Sequence, residues 1–385
     1  MEMTIGLLTP EYPHPLCAAS GGIGSSIQNS ARDLVALGHR VVVFIYGQSS
    51  AKVLDDQGVQ LHFIPFKKYP LGGWFFYRKF IQHYVNNCID NQQIQLIEAP
   101  DWTGITAFMR LNAPLIIRFH GTDAYFCHLE GRSQKMKNFI FEKWAMGGAV
   151  AFSSPTYFAA EITQFIFRLK EKKTVIIPNG IVVNQFINPN PESFEPGLLL
   201  YFGTLIRKKG VFELIEIFKE VLVNQPNARL VLVGSDAPDI QTASYSTWNE
   251  LQKNLQPAVL ERIQYLGKVP YEQMQANILK AHLCILPSLA ETQGMVTLEA
   301  MAMHKPVLTS NFGWSTELIE DEISGYLIHP NKKEEYAQKI IELMADSKQV
   351  LKIGKSARTR VEQNFDSKKI SIRTSNFYQH IITNY

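Results

Sequence analysis

Cysteine is scarce in this chain, and its cysteines are not grouped. Cys17, Cys88, Cys127 and Cys284 are scattered, with no C-x-x-C pair. This spacing does not fit a disulfide framework or a cysteine-bound zinc site, and it favours reduced thiols. The sequence also has no apolar run near the roughly 20 residues that span a bilayer, and its start lacks the pattern of a signal peptide. We therefore expect a cytoplasmic protein that does not cross a membrane.

Charge patterns that would recruit a metal or a nucleic acid are also missing. No Asp-x-Asp occurs, so one common anchor for a metal-bound diphosphate is absent. His120, Asp123 and His128 lie close together in the sequence, but no further ligand follows at a metal-binding spacing. The formal net charge of +3 is too small to favour nucleic acid. We expect no metal, no cofactor and no nucleic-acid partner.

The 385 residues form an alternation of short apolar runs and helical patterns, and the length predicts two domains. Strand alternating with helix predicts α/β domains with parallel, doubly wound sheets. In the first half, strands are predicted at 4–8, 41–46, 60–64, 95–98, 115–119, 150–152 and 174–177. In the second half they are predicted at 198–202, 229–233, 263–266, 283–286, 307–309 and 326–328, with a helix at 211–223. Proline-rich residues 181–197 separate domains at 1–180 and 198–366, and residues 367–385 form a C-terminal helix.

One stretch of the second half combines a buried strand, a polar loop and a buried helix. The apolar run ends at Pro287, the loop carries Glu291 to Gly294, and the helix that begins at Met295 carries Glu299. Glycine before a helix allows close approach of a ligand to the backbone, and the first turn offers unpaired N–H groups to a phosphate. The stretch therefore predicts a phosphate site flanked by two carboxylates.

Two further glycine loops precede helices. Gly21-Gly-Ile-Gly24 opens the first helix, but it is not G-x-G-x-x-G and lies far from the first strand, which disfavours NAD. The loop Gly203–Gly210 places Arg207, Lys208 and Lys209 beside glycine, and such cations can neutralise a diphosphate. Polar residues also follow two strands of the first half, where open α/β sheets bind ligands: Glu98, Asp101, Trp102, His120 and Asp123.

The ordered set of these fragments resembles the retaining glycosyltransferases of family 4, also described as glycosyl transferases group 1. Glu291 and Glu299 match the family's E-x7-E signature, and the family's order is kept by Gly21–Gly24, His120–Asp123, Ile177–Ile181, Gly203–Gly210 and Gly313–Glu317. The resemblance implies the GT-B architecture, in which two Rossmann-like domains face a central cleft and the C-terminal helix crosses back to the first domain. It also implies a retaining, metal-independent hexosyltransferase that uses a nucleotide-diphosphate sugar as substrate.

The resemblance assigns roles residue by residue. It implies catalytic roles for Glu291, His120 and Lys209. It implies donor binding by Gly22, Gly24, Arg207, Lys209, Gln293, Gly294, Met295, Val296 and Glu299, and acceptor binding by Glu98, Asp101, Trp102, Asp123 and Tyr125. The chain departs from the family at Thr204, where the family often has arginine, so Arg207 or Lys208 is expected to make that contact.

Two alternative functions stay open at this point. One is a catalytically silent subunit that binds a nucleotide sugar or a partner transferase, which the departure at Thr204 allows. The other is a sugar-nucleotide epimerase on the same fold. In the transferase interpretation, the acceptor is a sugar or a lipid-linked sugar of cell-surface polysaccharide, lipopolysaccharide or glycolipid assembly.

A basic and aromatic segment suggests where such an acceptor is met. No acidic residue occurs between Asp56 and Asp90, while Lys67, Lys68, Arg78 and Lys79 are interleaved with aromatic side chains at 74–77 and 80. Basic and aromatic residues together favour an anionic membrane surface. Packing of this helix on the sheet, or stacking of its rings on a soluble sugar, is the alternative. We expect peripheral association with the inner face of the membrane or a soluble acceptor.

Overall fold

The chain is divided into two compact units. The structure, a computed structural model, describes residues 2–17, 21–169, 173–253 and 255–385. The first unit comprises Met1–Val182 together with Phe365–Tyr385, and the second comprises Val183–Asn364. The first unit is therefore built from both ends of the chain.

The first unit contains an eight-stranded sheet among its described residues. Its spatial order is β3-β4-β2-β1-β5-β6-β7-β8, and all neighbouring strands are parallel except β3, which is antiparallel to β4. The strands are β1 (Thr4–Thr9), β2 (Arg40–Gln48), β3 (Lys52–Asp56), β4 (Val59–Pro65), β5 (Leu96–Pro100), β6 (Leu115–Arg118), β7 (Ala151–Ser154) and β8 (Thr174–Ile176). Every residue of β1 is buried, as expected for a parallel strand covered on both faces.

The second unit contains a six-stranded parallel sheet in its described part. Its order is β11-β10-β9-β12-β13-β14, with β9 (Leu198–Phe202), β10 (Arg229–Val233), β11 (Ile263–Tyr265), β12 (Leu283–Leu286), β13 (Val307–Thr309) and β14 (Tyr326–Leu327). The strand order reverses between β9 and β12, which pair directly. Ligands of open α/β sheets bind at such a switch point, beyond the carboxyl ends of the strands.

Helices connect the strands and cover both sheets. They are α1 (Gly22–Ala36), α2 (Gly73–Gln92), α3 (Asp123–Leu129), α4 (Met136–Gly148), α5 (Tyr157–Phe167), α6 (Val211–Asn224), α7 (Thr247–Gln252), α8 (Pro257–Leu260), α9 (Tyr271–Lys280), α10 (Met295–Ala302), α11 (Gly313–Thr316), α12 (Lys333–Ala345), α13 (Ser347–Asn364) and α14 (Ser367–Asn384). Short 3-10 turns occur at Trp102–Gly104, Val183–Gln185 and Arg207–Lys209. In the described ranges, none of these helices combines the length and the apolar character that a membrane span requires.

The C-terminal helix α14 is part of the first unit's core. Phe377 and Tyr378 are buried in the same apolar cluster as Ile27 and Ala31 of α1. The Ser375 hydroxyl lies 2.7 Å from Nε2 of His39, just beyond α1. A parallel bridge between Ile181 and Asp366 also joins the two segments of the unit. The last helix therefore completes the layer that covers one face of the first sheet.

The predicted α/β class with two doubly wound parallel sheets is confirmed. Leu198–Phe202, Arg229–Val233, Leu283–Leu286 and Val307–Thr309 have the predicted bounds. The edge strand β3 was not predicted. Its side chains are mostly exposed, so the segment lacks the apolar run that marks the other strands.

Candidate active site

The centre of the candidate site in the second unit is an ion pair between two adjacent loops. Because β9 pairs with β12, the loops that follow these strands lie side by side. Lys209 Nζ donates a hydrogen bond to Glu291 Oε1, and the Ser288 hydroxyl donates to the same oxygen at 3.2 Å. The Lys208 carbonyl accepts from the N–H group of Leu289 at 2.8 Å. The structure thus brings together two residues that lie 82 positions apart in the sequence and were both predicted to be catalytic.

Glycine is required at two positions of these loops. Gly210 has φ of 70°, and a Cβ atom there would lie 1.8 Å from the carbonyl oxygen of Pro287. Gly294 has φ of 83°, and its Cβ atom would lie 3.2 Å from the ring of Trp314. Positive φ is unfavourable for other residues. The first glycine therefore allows the two loops to make contact, and the second allows the turn into α10.

The start of α10 supplies the other predicted donor contacts. Met295 and Val296 form its first turn, where N–H groups have no acceptor within the helix. Gln293 is buried just before this turn. Glu299 follows one turn later and is half-buried. Burial raises the pKa of its carboxyl group to about 7. Glu299 can therefore exchange a proton near neutral pH.

Arg207 forms an ion pair that the sequence did not predict. Its Nε and Nη2 donate to the two carboxylate oxygens of Asp239 at 2.9 and 2.6 Å, and its guanidinium stacks on Phe212 at 4.0 Å. The Arg207 hydrogen bonds hold the pKa of the Asp239 carboxyl down, at about 2. Because a bidentate pair uses one edge of the guanidinium, the predicted diphosphate contact would have to come from Lys209 or from the free edge. Sequence reasoning missed Asp239, which follows β10 in a polar loop.

In the first unit, a buried carboxylate holds the loop that carries His120. Asp101 accepts hydrogen bonds from the N–H groups of His120 at 2.8 Å and Gly121 at 3.2 Å. Burial raises the pKa of Asp101 to about 7. Burial and the charge of Arg118 lower the pKa of His120 to about 3, so its imidazole is neutral at physiological pH. A neutral imidazole can donate or accept a hydrogen bond but brings no positive charge.

Two predicted acceptor contacts do not fit the structure. Asp101 and Tyr125 are fully buried, so neither side chain is open to an acceptor. Asp101 instead positions His120, and the Tyr125 ring packs edge-on against Phe126 at 5.3 Å. Sequence patterns did not distinguish these residues from exposed ones, because a polar residue after a strand is compatible with both positions.

The remaining acceptor candidates are accessible. Trp102 is exposed in the short turn that follows β5. Glu98 is half-buried, and its carboxylate accepts from the Ser153 hydroxyl at 3.3 Å. Asp123 is half-buried at the start of α3, where its carboxylate accepts from Nδ2 of Asn138 at 3.2 Å. These three keep side-chain surface that a ligand could reach.

The glycines at the start of α1 contact a carboxylate that sequence reasoning missed. Glu11 accepts hydrogen bonds from the N–H groups of Gly21 at 2.9 Å and Gly24 at 3.0 Å. Gly22 is exposed, with open space where a side chain would be. A carboxylate at a helix N-terminus occupies the position that an anion favours. A donor phosphate at this helix would therefore have to displace Glu11.

The predicted residues thus form separate groups within each unit. Lys209, Glu291, Gln293, Gly294 and Glu299 are gathered around the carboxyl ends of β9 and β12. In the first unit, His120 and Asp101 form a second group. Across the described residues, no three His, Cys, Asp or Glu side chains are grouped as a metal ion would need. Metal independence stays a prediction.

Comparison with known proteins identifies the class to which this fold and site belong. The structure is similar to sucrose-phosphate synthase from Thermosynechococcus elongatus, with a TM-score of 0.79 and 19% identity over 100% of both chains. It is also similar to Anabaena Alr3699/HepE in complex with UDP and glucose, with a TM-score of 0.72 and 20% identity over 98% of this chain and 100% of that one. The fold is therefore that of the GT-B glycosyltransferases.

Sequence comparison gives the family. The model described as "Glycosyltransferase Family 4" matches residues 20–185, and the model described as "Glycosyl transferases group 1" matches residues 184–360. The chain is 24% identical to the uncharacterized glycosyltransferase MJ1607 of Methanocaldococcus jannaschii, over 98% of each sequence. The chain belongs to the group 1 glycosyltransferases, as the sequence predicted.

Proposed function

We propose that this glycosyltransferase transfers a hexose from a nucleotide-diphosphate sugar to an acceptor hydroxyl, with retention of anomeric configuration and without a metal ion. The observation that carries the proposal is the pairing of Lys209 with Glu291 beside the first turn of α10. This arrangement places a cation, a carboxylate and a helix N-terminus within one small region at the switch point of a doubly wound sheet. The complex of HepE with UDP and glucose favours UDP as the nucleotide to test first.

The leaving diphosphate is held by positive charge from the protein. In the structure, Lys209 forms an ion pair with Glu291. When the donor binds, its diphosphate competes for the ammonium group, and the N–H groups of Gly294 to Val296 provide further donors. Release of Lys209 leaves the Glu291 carboxylate facing the sugar, where it stabilises the positive charge that develops as the glycosidic bond breaks. The resident ion pair thus preorganises both partners.

Glu299 and His120 complete the proposed roles. Glu299 binds the ribose hydroxyls, because it lies one turn beyond the residues that hold the phosphate. His120, neutral and fixed through its backbone by Asp101, hydrogen-bonds a sugar hydroxyl. Gln293 adds a contact that selects the sugar. The acceptor is a sugar or lipid-linked sugar of cell-surface polysaccharide, lipopolysaccharide or glycolipid assembly, met at the cytoplasmic face of the membrane.

Donor turnover in site variants tests this proposal. We expect Glu291→Ala and Lys209→Ala to lower turnover about 100- to 1,000-fold at saturating donor, since each removes a preorganised electrostatic contact. Two residues of α6 provide matched controls: Glu220→Ala, which is exposed, and Lys219→Ala, which is half-buried beside Glu216, should both keep wild-type turnover. Nucleotide release is measured with a panel of donors, with and without acceptors, and NMR of the product gives its anomeric configuration.

The outcomes separate the proposal from its alternatives. Near-normal turnover of Glu291→Ala would contradict the role of the ion pair. Donor binding without nucleotide release, with any acceptor, would indicate a silent subunit. Conversion of the donor to another sugar nucleotide, again without release, would indicate an epimerase. An inverted product would refute retention while leaving transfer intact.

A further inference from the structure

Helix α4 exposes a stripe of large apolar side chains to solvent. Met136, Ile140 and Trp144 are spaced four residues apart and therefore lie on one face of the helix. Their exposed fractions are 70%, 39% and 53%. Buried Phe141 and Ala145 occupy the opposite side and hold the helix on the unit. The stripe is thus a contiguous apolar surface that faces solvent, whereas exposed apolar residues are normally scattered singly.

The stripe is continuous with the start of α2. Trp74, 43% exposed, packs against Phe141 with ring centroids 5.0 Å apart. Phe108 lies between the helices, 5.4 Å from Trp74 and 4.2 Å from Trp144. Leu71, just before α2, is 83% exposed. We call this combined surface the aromatic face; its exposed apolar members are Leu71, Trp74, Met136, Ile140 and Trp144.

Lysines flank the aromatic face, but they are not the full set that the sequence suggested. Arg78 is buried and donates to the carbonyl oxygens of Trp74 at 2.8 Å and Thr103 at 3.1 Å. Lys79 donates to the Phe108 carbonyl and to Gln82. The expectation that these two charges face a membrane is therefore wrong, because the fold uses them internally. Five exposed lysines belong to the same two segments of the chain: Lys135, Lys137 and Lys143 lie on α4 or directly before it, and Lys67 and Lys68 lie in the loop before α2, where Lys67 Nζ is 4.0 Å from the ring centroid of Phe80.

No exposed carboxylate offsets these lysines in residues 66–89 or 135–148. The first segment contains no acidic residue, and the second contains only Glu142. Glu142 is fully buried and accepts hydrogen bonds from the N–H groups of Asp123 and Ala124. Lys137 also lies over the ring of Trp74, with its Nζ 5.9 Å from the centroid. Positive charge and exposed indole rings therefore occur on the same surface.

We propose that the aromatic face and its five lysines dock on an anionic lipid bilayer. Lysines attract anionic headgroups, and tryptophan rings favour the interface between headgroups and hydrocarbon. A second copy of this chain is a poorer occupant, because a two-fold contact would place the two sets of lysines together. Docking itself needs no catalysis. The inference that the acceptor is lipid-linked rests on the proposed function.

Vesicle cosedimentation of the full chain tests the docking. One set of vesicles contains phosphatidylcholine alone, and the other contains about one-third phosphatidylglycerol in phosphatidylcholine, which gives the surface a negative potential. We expect binding to the anionic vesicles that weakens as salt is raised from about 50 to 300 mM, since screening shortens the reach of the charges. The triple variant Lys135→Gln, Lys137→Gln, Lys143→Gln should bind on the order of 100-fold more weakly, at about fivefold for each lysine.

Two further variants make the test specific. Trp144→Ser should lose binding to anionic vesicles while its far-UV circular dichroism stays that of the wild type, because 53% of the residue is exposed; loss of the contact with Phe108 should lower the melting temperature by a few degrees at most. The matched control replaces three exposed lysines of the second unit, Lys348, Lys352 and Lys355, by glutamine, and should bind like the wild type. Both α4 variants should keep wild-type donor turnover with a water-soluble acceptor.

Each result supports or overturns the docking. Equal binding to neutral and anionic vesicles, or equal loss in the control triple variant, would overturn it. Concentration-dependent dimerisation that Trp144→Ser abolishes, without vesicle binding, would assign the face to a second copy. Loss of soluble sugar binding in Trp144→Ser, without vesicle binding, would assign it to a soluble acceptor. Vesicle binding without donor turnover would refute the proposed function and leave the docking intact.

Discussion

Replacing Glu299 by glutamine should stabilise the ligand-free protein at alkaline pH. Burial raises the pKa of Glu299 from 4.5 to about 7, so the folded chain holds this proton more tightly than the unfolded chain does. The free energy of unfolding must then fall as pH rises from about 4.5 to about 7, and above about pH 7 it has fallen by the full amount. Glutamine has nearly the same shape and no charge, so it removes this penalty.

The magnitude follows from the pKa difference. One pKa unit is worth about 1.4 kcal/mol, so the shift from 4.5 to about 7 lowers the free energy of unfolding by about 3 kcal/mol at pH 8. At pH 5 the same shift lowers it by less than about 1 kcal/mol. These values are upper limits, because the side chain is half-buried and water screens part of its charge. For a unit the size of Val183–Asn364, 1 kcal/mol changes the melting temperature by about 2–4 °C, so the largest expected rise is roughly 6–12 °C.

Thermal unfolding at pH 5 and pH 8 is the assay. Wild type, Glu299→Gln and the exposed control Glu220→Gln are compared, and only the difference between the two pH values is interpreted. Other buried carboxyl groups titrate in the same way in all three proteins, so their contributions cancel when the variants are compared with the wild type. A rise in melting temperature for Glu299→Gln that is the same at both pH values, or a fall at pH 8, would refute the assignment of the penalty to this carboxyl group. Weaker binding of UDP to the stabilised variant would show why the chain keeps the acid.

Three further predictions concern the loops of the two sites. Donor turnover should be unchanged by a chelator, because Lys209 supplies the charge that a metal ion would bring; complete loss of activity in chelator, restored by magnesium, would contradict this. Gly210→Ala should destabilise the protein by more than about 3 kcal/mol in denaturant unfolding, because its Cβ would meet the Pro287 carbonyl, whereas Gly267→Ala, also at positive φ but in open space, should cost only about 1–2 kcal/mol. Asp101→Ala should destabilise the protein by about 1–3 kcal/mol for each N–H group left without an acceptor. It should also lower turnover, because the loop that carries His120 loses its support; unchanged turnover would show that catalysis does not depend on this placement of His120.

The sequence predicted the bounds of β9, β10, β12 and β13 because each is a short, mostly apolar run. Leu283–Leu286, for example, is bounded by a polar residue and by Pro287, and all four of its residues are buried. Glycine before an apolar helix likewise indicated where α10 begins. The exposed edge strand β3 gave no such signal, since its pairing with β4 is visible only once the fold is formed.

The family resemblance supplied residues of the site and their roles, but the sequence predicted none of the side-chain pairings. The pairing of Arg207 with Asp239 depends on two loops brought together by β9 and β10, and no spacing in the sequence encodes it. The inward direction of Arg78 has the same origin, because two of its acceptors, the carbonyl groups of Thr103 and Gly104, belong to a turn that is distant in the sequence. Local patterns report burial along one element, whereas these contacts depend on how elements pack against each other.

The position of α14 in the first unit has a consequence for how the protein is made. Because Phe377 and Tyr378 fill the core beside α1, a ribosome must synthesise nearly the whole chain before this core can close. The second unit, from Val183 to Asn364, is complete in sequence before that point, so the later unit is free to fold first. A fragment ending near Val182 would expose the apolar side chains of α1 that α14 covers, and we expect it to aggregate. Producing the first unit alone would require joining the last helix to it, for instance through a short linker from Val182 to Phe365, rather than truncating the chain.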